Sequence, residues 1–189
     1  MFNEKPTLFL NIILALNEGK IIAYPTESVF GLGCDPDNKK AVCQLLLLKK
    51  RSWKKGFILI AGDYEQLRSY IDVSKLNTLQ KIMIISTNSE PITWIVPAKK
   101  NIPKWLTGTF NSLAVRITKF ELIKSLCFSY GKPIISTSAN LSGLEPCKTK
   151  EEVITHFNNQ VCVLDGSVGG CKNLSEIREI ITGNLYRKG

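Results

Sequence analysis

The sequence predicts an α/β fold, a single domain built on a twisted sheet of mixed parallel and antiparallel strands with helices against it. Three observations predict it. Short apolar runs of strand length alternate with segments whose apolar residues recur at helical spacing. The connections between them vary in length, which argues against a regular doubly wound order. A chain of 189 residues with 44% hydrophobic and 22% charged side chains can bury one sizeable core, and that composition excludes wholesale disorder.

The elements follow in order. Leu8–Leu16 is apolar but interrupted by Asn11, and falls far short of the ~18 residues that cross a bilayer. It also lacks the basic start and small-residue cleavage site of a secretion signal, so an amphipathic first helix stopped by Gly19 is expected. Ile21–Tyr24 reads as a strand ended by Pro25. Asn38 to Lys50 reads as a helix with Ala41, Val42, Leu45 and Leu46 on one face. Phe57–Ala61 is a strand, Tyr64–Ile71 a short helix, and Ser74–Ser86 a longer helix capped by Ser74. Ile92–Val96 and Leu113–Thr118 read as strands, and Phe120–Tyr130 as a helix ended by Gly131. Pro133–Thr137 is a further strand, Lys150–Phe157 a helix, and Val161–Asp165 a strand. Glu176–Leu185 reads as a hairpin turning at Thr182-Gly183-Asn184.

Charge narrows the partners. Lys and Arg number 25 against 16 Asp and Glu, a net charge of +9 that invites a nucleotide or nucleic acid. Part of that excess is compositional: 20 lysines accompany 21 isoleucines and 13 asparagines, all with A/T-rich codons. The six cysteines stand at least nine positions apart, with no C-x-x-C pair to frame a zinc site, and the thiols point to a reducing, cytoplasmic setting. The single histidine, His156, falls in a predicted helix and reads as a surface or packing residue rather than a catalytic base.

Three polar loops interrupt the apolar pattern. Pro25-Thr26-Glu27-Ser28 leaves a strand at the edge where open α/β sheets bind ligands, although it would also serve as a helix cap. Lys49–Lys55 carries five positive charges in seven residues, which suits polyphosphate but also a solvated helix end. Ser136–Gly143 sets four hydroxyls and an amide just past a strand, more donors than such a loop leaves without an anion or polar ligand. Arg116 is a lone charge in an apolar strand, and such an arginine pairs with a carboxylate of the protein or of a ligand. There is no G-x-x-x-x-G-K-[ST] and no G-x-G-x-x-G, so any ATP is held without a P-loop or dinucleotide fingerprint.

In this order the loops resemble the YrdC-like family, the threonylcarbamoyl-AMP synthases. The resemblance runs from about Ile21 to Lys188, through Tyr24–Gly33, Lys49-x-Arg51, Ala114–Arg116, Ser136–Gly143, Ser175–Arg178 and Leu185–Gly189. It implies a single YrdC-like domain over residues 1–189 with a basic concave groove, and the short bacterial form without an appended domain. It implies a nucleotidyltransferase that joins L-threonine, bicarbonate and ATP into threonylcarbamoyl-AMP with release of pyrophosphate. Magnesium would be carried by the ATP phosphates. A transfer machinery of the TsaD, TsaB and TsaE type would then modify tRNA next to the anticodon. Thr26, Ser28, Arg116, Ser136 and Ser175 would hold threonine and its carbamate. Lys49, Arg51, Lys55, Ser112, Ser138, Asn140 and Arg187 would hold ATP, with Lys49, Arg51 and Ser138 catalytic and no metal ligands from the chain.

The chain departs from the family pattern at Ser89-Glu90, where Pro-Gly is common, at Ser52 in place of Pro, and at Ser28 in place of Thr. These departures bear on loop geometry and affinity rather than on the fold. The competing class is a non-catalytic basic protein that binds tRNA or rRNA, although no RNA-recognition signature or aromatic stacking run is present. Weak tRNA contact is compatible with catalysis, and no membrane partner is expected.

Overall fold

The structure, a computed structural model, describes residues 5–86, 91–141 and 143–189, with side chains from residue 9 onward. The Ser89-Glu90 departure and Ser142 lie outside the described residues. The chain begins with α1 (Lys5–Asn17), β1 (Ile22–Pro25), β2 (Phe30–Gly33), α2 (Lys39–Leu48) and β3 (Ile58–Ala61). Next come α3 (Thr78–Ile85), β4 (Ile92–Pro97), the short α4 (Lys104–Thr107), β5 (Ser112–Ile117), α5 (Glu121–Tyr130) and β6 (Ile134–Ser138). It closes with α6 (Lys150–Phe157), β7 (Cys162–Val163), β8 (Glu176–Glu179) and β9 (Leu185–Arg187).

Among the described residues nine strands form one sheet, in the order β7-β1-β2-β6-β3-β5-β4-β8-β9. β7 pairs parallel with β1, β3 with β5 and β4 with β8, and the other neighbours are antiparallel. The expected mixed α/β architecture is therefore what the chain adopts.

Both faces of the sheet are covered because the strands alternate apolar residues to both sides. Ile22, Tyr24, Ile60 and Ile134 pack with Phe9, Ile12 and Leu16 of α1 and Ile123, Leu126 and Cys127 of α5. Ala23, Leu59, Val115 and Ile135 pack with Ala41, Val42 and Leu45 of α2, Ile84 of α3, and Val153 and Phe157 of α6. Each fully buried aliphatic chain contributes roughly 1.5–3 kcal/mol against exposure. No helix is long and apolar enough to cross a membrane among the described residues.

Three sequence expectations are corrected, and one strand is added. The sequence assigns no element to Val29–Gly33, and Phe30–Gly33 forms β2, paired with β1 on one side and β6 on the other. Gly33 is needed there, since a Cβ would stand 2.2 Å from the Ile135 carbonyl oxygen. The expected helix Tyr64–Ile71 is one 3-10 turn, Glu65–Leu67. Beyond it the backbone is taken by the end of β4: Asp72 N–H donates to Pro97 O (2.9 Å), and Tyr70 O accepts from Lys99 (3.0 Å). The helix expected from Ser74 starts at Thr78, capped by Asn77 in a capping box with Gln80, while the Ser74 hydroxyl donates to Asp72 (2.6 Å). The run Lys49–Lys55 is not a uniformly solvated helix end, because Lys49 is buried and Arg51 half-buried.

Candidate functional site

On the sheet face that carries α1 and α5, the strands run past the helices and line a cavity of about 480 Å³. Alternation decides its lining. On β5, Leu113 and Val115 enter the opposite core, whereas Ser112, Ala114 and Arg116 face the cavity. On β6, Ser136 and Ser138 lie on the cavity face with buried Ile134 behind them. The turn after β1, the segment 51–58, α4 and the β8–β9 hairpin complete the wall. Among the described residues its charged lining is Arg51, Lys55, Arg116 and Arg187 against the carboxylate of Glu179, so the field within favours anions.

The cationic end is built by the end of α2. Lys50 takes a left-handed conformation (φ 49°), while Lys50 N–H donates to Leu47 O (3.0 Å) and Arg51 N–H to Leu46 O (2.9 Å). This is a Schellman stop with lysine where glycine is usual. It turns Arg51 back toward the sheet, where its guanidinium donates to Gly56 O (2.9 Å) and lies 5.2 Å from the Phe57 ring centre. Burial lowers the Arg51 pKa, and among the described residues its Nε has no hydrogen-bond partner. Ser52 caps the 3-10 turn Trp53–Lys55, which leads into Gly56. Gly56 and Gly108 pass so closely that a Cβ on Gly108 would meet Lys54 O at 2.2 Å and Gly56 N at 2.7 Å. Both have positive φ, so glycine is required twice where α4 crosses the turn.

Lys49 stands behind the wall. Its Nζ donates to Ser138 O (2.5 Å), Asn140 O (2.8 Å) and Asn140 Oδ1 (3.2 Å), which uses all three ammonium protons. Burial, reinforced by Arg51, lowers its pKa from 10.5 to about 8. Asn140 Oδ1 also accepts from Ser138 Oγ (2.6 Å), and its Nδ2 donates to Leu144 O (2.7 Å). In this structure the Lys49 ammonium thus clamps the 138–140 loop.

The other end is lined by hydroxyls and two arginines. Thr26 is buried, with its hydroxyl and its N–H both donating to Val29 O (2.7 and 2.9 Å), so it closes the turn that presents Ser28. Tyr24 Oη donates to Ile135 O (3.1 Å) beneath Ser136, and burial pushes its phenol upward. Arg116 is buried and lies 3.4 Å from Glu27 Oε2. The Arg187 guanidinium donates to Ser175 O (2.7 and 3.0 Å) and Ser175 Oγ (3.0 Å), and Ser175 Oγ meets Thr93 Oγ1 at 2.8 Å. Burial and then the neighbouring Arg116 lower the Arg187 pKa. Arg187 is therefore held against Ser175, near enough to Arg116 to feel its charge.

Of the residues expected to hold threonine or ATP, all but Lys49 and Asn140 line this one cavity. Sequence reasoning missed Thr107, whose buried Oγ1 has no partner among the described residues, and the apolar liners Phe57, Leu106 and Phe110. Their only sequence signal is proximity to Gly56 and Gly108. It also missed Glu27, although Glu27 lies within the loop it marked. His156 is exposed on α6 with Nδ1 3.3 Å from Cys147 Sγ, away from the cavity lining. Among the described residues no group of three or more His, Cys, Asp or Glu could hold a metal ion, and all six cysteines are free.

A model of the Sua5/YciO/YrdC proteins, described as telomere recombination, matches residues 14–189. The threonylcarbamoyl-AMP synthase of Photorhabdus laumondii subsp. laumondii is 56% identical over 189 residues, 100% of both chains. The structure of a P. abyssi Sua5 variant superposes with a TM-score of 0.85 at 25% identity, over 94% of this chain and 54% of that one. P. abyssi Sua5 complexed with L-threonine gives 0.84 at 24% identity, over 95% of this chain and 52% of that one. The chain thus spans about half the length of Sua5 and the full length of the Photorhabdus relative.

Proposed function

The chain belongs to the Sua5/YciO/YrdC family, and on that premise we propose that it is an L-threonylcarbamoyladenylate synthase. It makes threonylcarbamoyl-AMP and pyrophosphate from L-threonine, bicarbonate and ATP. One observation carries the reading: a hydroxyl-and-arginine end formed by Ser28, Arg116, Ser136 and Ser175 opens without interruption into a cationic end formed by Arg51, Lys55 and Ser138. An amino acid and a polyphosphate can therefore lie in one cavity with their reacting ends together.

The chemistry suits these residues. The threonine amine and bicarbonate form a carbamate and water. A carbamate oxygen then attacks the α-phosphorus, and the bond to the departing pyrophosphate breaks. No protein nucleophile is required; the work is positioning and stabilisation of developing charge. Arg116 holds the amino-acid carboxylate, with Thr26, Ser28, Ser136 and Ser175 around the threonine and carbamate. Arg51 and Lys55 face the phosphates, with Ser112, Ser138 and Arg187 along the nucleotide. Lys49 and Asn140 fix the loop that carries Ser138. Magnesium arrives on the ATP phosphates, whose oxygens and water suit its octahedral preference.

We further propose that residues 1–189 act as one YrdC-like domain in the cytoplasm. The product passes to a tRNA threonylcarbamoyl transfer machinery of the TsaD, TsaB and TsaE type. The test is pyrophosphate release with ATP, bicarbonate and magnesium: release is expected only when L-threonine and bicarbonate are both present. Equal release with L-serine, or none with either amino acid, overturns the assignment.

A further inference from the structure

Arg116 has a protein partner that none of the preceding assignments uses. The Glu27 carboxylate is held from behind, where Thr118 Oγ1 donates to Oε1 (2.7 Å) and Phe120 N–H donates in turn to Thr118 Oγ1 (3.0 Å). Its other oxygen, Oε2, lies 3.4 Å from an Arg116 terminal nitrogen, and the two side chains are only 14% and 8% exposed. The pair is near enough for attraction but makes no hydrogen bond: among the described residues, Glu27 Oε2 and Arg116 Nε are both buried without partners. A buried charge pair with atoms left unsatisfied is costly to keep for stability alone. Its backbone ties Glu27 to the segment that follows β7, since its carbonyl accepts from Cys171 N–H (2.8 Å) and Thr26 O accepts from Gly169 N–H (2.9 Å). Glu27 therefore sits behind the arginine and does not line the cavity.

Arg116 also needs such a partner, because it shares the cavity with Arg187, and the two cations repel. Without a counter-charge behind it, Arg116 would swing away from Arg187 and lose its fixed edge. We propose that Glu27 is a positioning residue. Held by Thr118, it anchors one side of the Arg116 guanidinium and presents the other side to the carboxylate of the amino-acid substrate. The identity of that substrate rests on the function proposed above; the anchoring does not.

The test has two arms. In the free protein, the Arg116 Nε–H resonance is expected to shift and broaden in Glu27→Gln, because the amide carries no charge to oppose Arg187. An unchanged resonance overturns the proposal. In the second arm, calorimetric binding of L-threonine is expected to weaken tenfold or more in Glu27→Gln, with binding of a non-hydrolysable ATP analogue changed less than threefold. Adding Glu27→Gln to Arg116→Lys should cost less than a further threefold, since the carboxylate acts through the arginine. Equal losses for threonine and nucleotide, or independent losses in the double variant, make Glu27 a scaffold residue and overturn the proposal. Thr118→Val, which removes only the tether, should weaken threonine binding severalfold and serves if Glu27→Gln does not fold. A shifted Arg116 resonance with no threonine binding even by the wild type would leave the anchoring standing and remove the substrate assignment.

Discussion

The Lys49 ammonium lies 2.8 Å from the carbonyl oxygen of Asn140, 91 residues further along the chain. Two stretches that look like separate phosphate loops in the sequence are one structure in the fold. The lysine at the end of α2 holds the loop after β6 by its backbone, and Ser138 reaches the cavity from that loop. The consequences are testable.

The Lys49 clamp gives a pH dependence with opposite signs for stability and activity. Burial and Arg51 lower its pKa from 10.5 to about 8. Between those values the unfolded chain binds a proton that the folded chain has released, so this group makes stability rise with pH across the window. Its cost is complete below about 8 and absent above about 10.5. Activity runs the other way, because a neutral amine has two N–H groups for three oxygens. ATP use is expected to fall severalfold as pH rises through about 8, and Lys49→Arg, which keeps its charge, should move that alkaline limb upward. An unmoved limb in the pH–rate profile of the variant assigns it to another group.

Arg51→Ala should damage both binding and stability. Loss of a charge-assisted phosphate contact costs about 1.5–3 kcal/mol, a tenfold or greater rise in the ATP Michaelis constant. The side chain also bonds Gly56 O and covers Phe57, so stability should fall by about 1 kcal/mol rather than stay level as at an exposed helix end. Steady-state kinetics and thermal melting read the two effects separately.

Lys50→Gly should stabilise the protein. Lys50 holds a left-handed conformation at the Schellman stop, which costs a non-glycine residue about 1–2 kcal/mol. The more flexible unfolded chain of the glycine variant offsets part of that gain. A rise in melting temperature of about 2–4 °C is expected for a chain of this size. ATP kinetics should change less than twofold, since Lys50 is not among the cavity liners. A lower melting temperature would mean that the Lys50 side chain contributes contacts exceeding the backbone strain.

Much of this site is legible in the sequence because its signals are local. A proline that ends a strand, hydroxyls crowded after another, and cations gathered at a helix end each mark a loop whose polar groups exceed what the loop can satisfy. Helices such as Lys150–Phe157 and Glu121–Tyr130 are equally legible, since periodicity and the Gly131 stop are properties of a dozen neighbouring residues. The family follows from the order of those loops.

Other features depend on residues far apart in the chain, and only the tertiary structure decided them. Phe30-Gly31-Leu32-Gly33 has no strand signal of its own and becomes β2 because β1 and β6 offer partners on both sides. Tyr64–Ile71 has a helical pattern, and loses its helix because β4 competes for the backbone of Tyr70 and Asp72. The sequence by itself determined which residue types belong to the site, through composition and local spacing. Whether each faces the cavity or stands behind it was settled by strand register and by long-range pairing. Arg116 and Ser136 reach the cavity because the pleat turns them to the open face. Lys49 and Glu27 stand behind the wall because Asn140 and Thr118, each 91 residues away, are close enough to hold them there.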